Sequence, residues 1–209
     1  MTKISSPYTA ALTGGGFLFE ETDALLPLFM APNSSELIKN EKVNNRLLHI
    51  NSETSRSRFI HEMKRRYETM PREFWEEYIR MSEEDRRAAL LYVILKTYKI
   101  AFDFHINVTL KKWRSISKQI ENSDFMIEFN EISAKDEFVD SWSDNTKGKI
   151  ASTYITILRK AGMCDKNGCL QVLKIGNLEF YLTGLGEPWF LEAALLEPYQ
   201  IENLKKNLS

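Results

Sequence analysis

Cysteine and histidine are scarce in this chain of 209 residues, which has two cysteines and three histidines. Cys164 and Cys169 lie on either side of a short polar stretch, and we expect both thiols to be free in a reducing compartment. A structural zinc site needs four ligands, and the histidines show no ligand-like spacing with the cysteines. We therefore predict no metal site and no cofactor.

Long apolar runs are also missing. The longest run, Ala88–Leu95, is far shorter than the roughly 20 residues of a membrane-spanning helix. The N-terminal residues lack the apolar core of a signal peptide. Hydrophobic residues make up 43% and charged residues 27% of the chain, which is typical of a globular protein with a buried core. We expect a cytoplasmic protein without a membrane segment, and a monomer because no heptad seam is present.

The sequence motifs of common enzymes are absent as well. The chain has no nucleophile elbow, dinucleotide fingerprint or His-Glu-x-x-His pattern. Gly14-Gly15-Gly16 is not followed by the Gly-Lys-Ser/Thr of a phosphate loop, so we interpret it as a flexible turn before a helix. Adjacent acidic pairs such as Glu20-Glu21 point away from one another on a helix, as surface residues do. These absences predict a protein without enzymatic activity.

Charge is balanced overall, with a formal net charge of −1, but it is unevenly distributed. Basic residues exceed acidic ones over residues 38–70, 88–118 and 146–174, whereas acidic residues dominate over residues 119–145. A positive surface can form if the basic segments converge in space. The acidic segment would repel phosphate if it lay beside a nucleic-acid-binding helix.

The most informative segment runs from Trp142 to Ile175. Ser143 or Asp144 is suited to cap a helix, and Gly162 is suited to end it. Asp165-Lys166-Asn167-Gly168 then predicts a tight turn between two short strands. This order is typical of the recognition helix and wing of a winged helix-turn-helix, with an ordinary amphipathic helix and hairpin as the alternative. Helical spacing predicts a buried stripe made of Ile150, Tyr154, Ile157, Leu158 and Ala161.

A second helix-turn-helix candidate lies earlier in the chain. A helix starting at Ser34 or Ser35 and reaching about His49 is followed by a polar break and a helix over Ser55–Met70. The second helix carries a basic face that would point outward, with a solvated face partnered by local glutamates as the alternative. Its predicted buried residues are Phe59, Met63, Tyr67 and Met70.

The remaining pattern predicts an all-α fold with a small β-hairpin wing. Ala88–Phe104 is the expected central helix, and Val108–Ile120 is expected to form a basic helix anchored by Leu110, Trp113 and Ile116. Further helices are expected over Phe17–Phe29, Phe74–Arg80, Asp124–Asp140 (a pair), Leu178–Leu185 and Trp189–Leu196. We divide the chain into an N-terminal region, 1–121, with the first helix-turn-helix over about 35–70, and a C-terminal region, 122–209, with the winged element over about 133–175. One compact domain is the alternative.

Three of these segments resemble the BrxA family, the small helical component of bacterial BREX (bacteriophage exclusion) defence systems. They are Tyr8–Thr22, Ser52–Pro71 and Trp142–Met163, and the specificity lies in their order and spacing. The resemblance implies an all-helical fold with two helix-turn-helix elements that binds DNA. It also implies other BREX components as partners, namely a site-specific DNA methyltransferase and ATP-dependent proteins.

The preferred hypothesis is therefore non-catalytic binding of double-stranded DNA, mainly through phosphates and with little sequence reading. The alternative is a protein–protein adaptor within the BREX complex, using the Phe125–Trp142 stretch and the apolar C-terminal helices, and structured RNA is a third ligand to consider. The candidate DNA contacts are Arg56, Arg58, His61, Arg65, Asn145, Thr146, Lys147, Lys149, Ser152, Thr156, Lys160 and Lys166.

Overall fold

Helices form the regular elements of the computed structural model, which describes residues 5–207 and shows no β-strand in that range. The prediction of an all-α fold is confirmed. The α-helices are α1 (Leu12–Gly15), α2 (Phe19–Met30), α3 (Ser34–Asn44), α4 (Glu53–Thr69), α5 (Arg72–Arg80), α6 (Glu83–Thr97), α7 (Lys99–Phe104), α8 (Leu110–Trp113), α9 (Asn122–Ser133), α10 (Glu137–Asp140), α11 (Asp144–Ala161), α12 (Trp189–Ala193) and α13 (Pro198–Asn207). Two π-helical segments are His105–Thr109 and Phe180–Gly184.

Helix α6 is the centre of the core, as its composition predicts. Every residue from Ala88 to Leu95 is buried, and α4, α5, α7 and α11 pack around it. The Ser82 hydroxyl caps the helix by accepting the Asp85 N–H. The helix does not continue to Phe104 as predicted, because Tyr98 adopts an extended conformation and α7 starts anew. No described helix is long and apolar enough to cross a membrane.

The expected helix over Val108–Ile120 is shorter than predicted and has a different form. Its first turns belong to a continuous helix from α7 through the π-helical segment to α8, which ends at Trp113. Ile116, predicted as an anchor, is fully exposed on the following loop. The helix ends there because residues 118–120 pair with a distant part of the chain, as Leu170 N–H donates to the Lys118 carbonyl at 2.8 Å.

The β-hairpin wing predicted from the sequence does not form within residues 5–207. The turn Asp165–Gly168 forms, with Gly168 N–H donating to the Asp165 carbonyl at 3.1 Å. The flanking residues make only two isolated β-bridges, Cys164 with Leu170 and Cys169 with Gln119. Residues 118–120 therefore form hydrogen bonds with the backbone of Gly168 and Leu170, groups that would otherwise extend a ladder within the hairpin. Both cysteines are free, and burial raises the pKa of the Cys164 thiol to about 11.

The π-helical segment places His105 in the middle of the core. Its Nε2 lies 2.7 Å from the Ala193 carbonyl, which can only accept, so Nε2 carries the proton. Nδ1 then accepts from the Tyr154 hydroxyl at 2.6 Å. One neutral imidazole thus joins α11 to α12, and burial lowers its pKa to about 4.

Lowering the pH from about 7 to 5 is expected to cost the folded protein about 2 kcal/mol through His105 alone. In the unfolded chain the same imidazole has its ordinary pKa of 6.5, so the unfolded state binds the proton first. The stabilisation is complete above that pH and is lost as the pH falls toward 4. Denaturant unfolding at the two pH values checks this. Between these two pH values, the free energy of unfolding should fall by about 2 kcal/mol less for His105→Gln than for the wild type. For His49→Gln, at an exposed site, it should fall by as much as for the wild type. Equal losses in all three proteins would contradict the assignment.

Candidate nucleic-acid interface

Helix α11 forms as the sequence predicts. Ser143 caps it by accepting the Thr146 N–H at 3.2 Å, and Gly162 ends it with a φ of 86°. Met163 N–H bonds back to the Leu158 carbonyl at 2.8 Å, which completes a Schellman motif. The five residues of the predicted stripe, Ile150, Tyr154, Ile157, Leu158 and Ala161, are all buried.

The opposite face of α11 is exposed, but its hydroxyl groups are already engaged. Asn145 and Lys149 point outward. The Ser152 hydroxyl donates to the Gly148 carbonyl at 2.8 Å and accepts from Asn122 at 2.9 Å. The Thr156 hydroxyl donates to the Ser152 carbonyl at 2.9 Å. Donors used within the protein are not available to base edges without a rearrangement. Thr146 is half-buried, and its hydroxyl lies 3.0 Å from that of Ser143.

Lys147 does not belong to this exposed face. It is 8% exposed, and its ammonium donates to the Ser133 hydroxyl of α9 at 2.9 Å. Its position explains the burial, because residues 147, 151, 154 and 158 follow helical spacing on the apolar side. Lys147, a candidate DNA contact in the sequence analysis, is therefore a buried side chain on the same side of the helix as the predicted stripe.

Arg56, a candidate DNA contact in the sequence analysis, is also buried. Its guanidinium donates to the Lys42 carbonyl at 2.9 Å and the Ile50 carbonyl at 2.5 Å. The buried Glu41 carboxylate accepts three N–H groups from residues 46–48 of the same loop, each at 3.0 Å. Arg56 and Glu41 thus shape the loop between α3 and α4.

The remaining basic residues of α4 lie where the sequence places them. Arg58 and His61 are exposed, and Arg65 is half-buried, 3.7 Å from the Glu62 carboxylate. The buried stripe itself is shifted from the prediction. Phe59 and Tyr67 are only half-buried, whereas Ile60 and Met63 are buried together with Arg56, Glu62 and Arg66.

The turn Gly14–Phe17, which we call the glycine turn, begins in the last residues of α1 and contacts both α4 and α11. Helix α1 packs on both. Gly16 has φ 62° and ψ −134°, a conformation that strongly favours glycine. A Cβ on Gly15 would lie 2.7 Å from the side chain of Leu18. A side chain at position 16 would therefore be strained by its backbone conformation, and one at position 15 would require Leu18 to shift.

A buried arginine holds this turn, so the sequence prediction of a flexible turn is wrong. Arg66 is fully buried and donates to the Gly16 carbonyl at 2.5 Å and the Phe17 carbonyl at 2.8 Å. It also donates to the Tyr98 hydroxyl at 3.2 Å, which donates to Glu62 at 2.7 Å. Burial raises the pKa of Tyr98 to about 12, so its hydroxyl stays protonated as a donor. The sequence signal for Arg66 is only its spacing from Met63 on the buried side of α4.

Two adjoining depressions make one groove along the exposed face of α11, which we call the glycine groove. The first, of about 590 Å³, is lined by Thr13, Asn122, Asp144, Asn145, Gly148, Lys149, Ser152 and Thr153. The second, of about 400 Å³, shares three of these and adds Gly14, Gly15, Gly16, Phe17, Arg58, Phe59, Thr156 and Lys160. Arg58 of α4 and Lys149 and Lys160 of α11 therefore line the same groove. His61, Arg65, Thr146 and Lys166 are not among its lining residues.

The acidic segment does lie beside α11, as the contact between Asn122 and Ser152 shows. Part of its charge is engaged within the protein. Asp124 pairs with Lys112 at 2.7 Å, and the Glu121 side chain caps α9. Asp144 is the carboxylate that lines the groove directly. Repulsion of phosphate is thus concentrated at the Asp144 end, away from Lys160.

Comparison with known proteins identifies the family. The sequence model of the BrxA family matches residues 6–175. The chain belongs to the BrxA family. A curated relative described as BREX protein BrxA, from Bacillus cereus (strain H3081.97), is 35% identical over 79 residues. That alignment covers 38% of this chain and 40% of the relative.

A solved structure shares the fold. It is described as an uncharacterized protein from Magnetospirillum magneticum, and it superposes with a TM-score of 0.75 at 21% identity. The superposition covers 90% of this chain and 98% of that one. At this identity the likeness concerns the fold alone.

Proposed function

We propose that this chain is a non-catalytic DNA-binding component of a BREX phage-defence system and that duplex DNA binds along the glycine groove. Family membership supports the BREX assignment, because the curated relative carries that name. A methyltransferase and ATP-dependent proteins of the same system are the proposed protein partners.

The observation that carries the DNA proposal is the convergence of two basic helices on one groove. Arg58 comes from α4, and Lys149 and Lys160 come from α11. Cations spaced along a groove match the repeating charge of a phosphate backbone. The absence of side chains on Gly14–Gly16 lets a backbone approach closely between them.

The same groove offers little for reading sequence. Ser152 and Thr156 donate within the helix. Two exposed amides line the groove, Asn145 and Asn122, and Asn122 already donates to Ser152. Specific base recognition usually relies on bidentate pairs from Arg, Lys, Asn or Gln. We therefore propose phosphate contacts as the main source of affinity, with only weak preference among sequences.

Binding to a random duplex of about 30 base pairs through the glycine groove alone is expected to weaken roughly 40-fold between about 50 and 200 mM salt. The three cations of the groove give a log–log slope of about −3, because each phosphate contact releases about 0.9 counterion, and any phosphate contact outside the groove makes the slope steeper. A fluorescence-polarisation titration at both salt concentrations measures the slope. Absence of binding at the lower concentration would contradict the proposal. Tighter binding to a structured RNA in competition would replace DNA as the ligand.

The adaptor alternative has one specific observation in its favour. Phe138 is 51% exposed and Ile127 is 64% exposed on the acidic segment, so this surface offers apolar contacts. Of the other aromatic residues in the segments proposed for an adaptor surface, Phe125, Phe129 and Phe190 are fully buried, whereas Tyr199 is 63% exposed. Co-purification with the methyltransferase by a chain that ignores DNA would favour the adaptor.

A further inference from the structure

The loop Arg114–Lys118 carries the most exposed large hydrophobic residue in the described part of the chain. Ile116 is 104% exposed, which means that no neighbouring side chain covers it. A single exposed isoleucine is common on protein surfaces and by itself indicates nothing. The form of this loop and the charges around it distinguish Ile116 from other exposed apolar residues.

The loop is held at both ends. At its start, Arg114 N–H donates to the Leu110 carbonyl at 3.2 Å, and the Ser115 hydroxyl donates to the Lys112 carbonyl at 2.8 Å. At its end, the Lys118 carbonyl accepts the Leu170 N–H at 2.8 Å. The Lys118 ammonium also lies 3.8 Å from the centre of the Trp113 ring. Ile116 is therefore presented by a formed loop between two anchored ends.

This loop and the turn Asp165–Gly168 form one composite tip, which we define by these two segments. Ile120 N–H donates to the Gly168 carbonyl at 3.0 Å, and the Gln119 side chain donates to the Asn167 carbonyl at 3.0 Å. A Cβ on Gly168 would lie 2.4 Å from the Ile120 carbonyl oxygen, so glycine permits the close approach. The turn that the sequence assigns to a wing is thus joined to a loop that the sequence assigns to a helix.

The composite tip has a net positive charge. It carries Arg114, Lys118 and Lys166 against one carboxylate, Asp165, which accepts the N–H groups of Asn167 and Cys169 at 2.8 and 2.9 Å. Lys111, Arg114 and Lys166 are exposed, and none of them has an ion-pair partner within residues 5–207. An exposed isoleucine on a loop with a net positive charge fits a polyanion that also offers an apolar cleft. The minor groove of duplex DNA has both properties, since apolar side chains enter it between base steps while basic ones contact the flanking phosphates.

The position of the tip favours DNA over an anionic membrane. The turn follows the C-terminal end of α11, and Arg159 of α11 donates to the Asp165 carbonyl at 3.3 Å. A duplex along the exposed face of α11 would therefore pass the tip. One isoleucine contributes only about 1.5–3 kcal/mol on burial, which is little for membrane anchoring.

We propose that the composite tip acts as the wing of this protein and that Ile116 is a wedge that enters the minor groove. Arg114, Lys118 and Lys166 would contact the phosphates on either side. This inference rests on the proposed DNA-binding function. Beyond that function, it predicts a second region of contact with DNA outside the glycine groove and a bend in the bound duplex.

The test compares Ile116→Ser with the matched control Ile127→Ser, which removes the same side chain from an exposed site on α9. Polarisation titrations with the random duplex should show about tenfold weaker binding for Ile116→Ser with an unchanged salt slope. Ile127→Ser should bind as the wild type does. Energy transfer between dyes on the two duplex ends should report a bend with the wild type and a smaller bend with Ile116→Ser. The double variant Arg114→Gln/Lys118→Gln should reduce the salt slope by about 2.

The outcomes separate this inference from the proposed function. If the wild type binds DNA and Ile116→Ser binds and bends it equally well, the wedge is wrong and the groove proposal stands. If the wild type ignores DNA at low salt, the proposed function fails and the wedge fails with it. If the wild type binds vesicles containing phosphatidylserine, and Ile116→Ser loses that binding but binds DNA as the wild type does, the tip is a membrane contact and the wedge is overturned.

Discussion

The double variant Lys149→Glu/Lys160→Glu is expected to bind duplex DNA at least about 100-fold more weakly than the wild type, with a salt slope lower by about 2. Both residues line the glycine groove, one in each of its two depressions. Reversal of charge removes two phosphate contacts and adds two repulsions, of which the one at position 149 lies in the same depression as Asp144. The thermal midpoint should hold, because both side chains are exposed and neither has an ion pair within the described residues.

The matched control is Lys135→Glu/Lys174→Glu, which changes the net charge by the same amount. Neither lysine lines the groove, and Lys174 makes only a surface contact with Glu84 at 3.5 Å. Binding should weaken by no more than a few-fold, through the general field of the protein. Similar losses for the two double variants would mean that net charge matters and the groove does not. Lys147 is unsuitable for this test, since a carboxylate there would be buried against α9.

Replacement of Arg66 by methionine is expected to lower the free energy of unfolding by about 3–5 kcal/mol. The guanidinium is fully buried and supplies the hydrogen bonds to the Gly16 and Phe17 carbonyls. Its removal leaves these carbonyls without that donor and leaves the buried Glu62 with only the 3.7 Å contact to Arg65 as a cation partner. For a chain of this size the thermal midpoint should fall by roughly 6–20 °C. Thermal and denaturant unfolding measure the change.

Arg65→Met is the control on the same helix. Arg65 is half-buried, and its contact with Glu62 is 3.7 Å long, so the loss should stay below about 1 kcal/mol. Adding Glu62→Leu to Arg66→Met should restore part of the stability, because the uncompensated charge is then gone. Equal losses in the two single variants, or a further fall in the double variant, would refute the role given to this network.

Helix α11 could be predicted from sequence because its signals are local. The cap at Ser143, the stop at Gly162 and the apolar spacing between them lie within one segment. These signals agree with one another and with the packing that results. The charge of Lys147 predicts an exposed side chain, whereas its spacing puts it on the apolar face, where it is buried.

The buried face of α4 could not be predicted from an apolar pattern, because three of its buried residues are charged. Arg56, Glu62 and Arg66 are buried, and their partners are a loop, a turn and a tyrosine elsewhere in the chain. Pairing at such distances leaves no periodic signal in the sequence. The convergence of α4 and α11 on the glycine turn depends on the same long-range contacts, so the groove could not be predicted from the motifs alone.

The end of α8 at Trp113 shows the same limit. Residues 114–120 contain no proline or glycine, so no local breaker marks the end of the helix. The backbone leaves the helix to bond with residues 168–170. A stop imposed by a partner about 50 residues later is invisible to any local rule.

The glycine turn also constrains the order in which the protein matures. Gly16 lies next to Thr153 in the fold, although about 140 residues separate them in the sequence. The glycine turn therefore cannot pack against α11 until α11 has emerged from the ribosome. Contacts of such long sequence separation form slowly, since closing the intervening chain costs entropy before any contact repays it. The glycine groove is thus completed only after α11, which ends at Ala161, has been synthesised, and a nascent or truncated chain that ends before α11 lacks one of its walls.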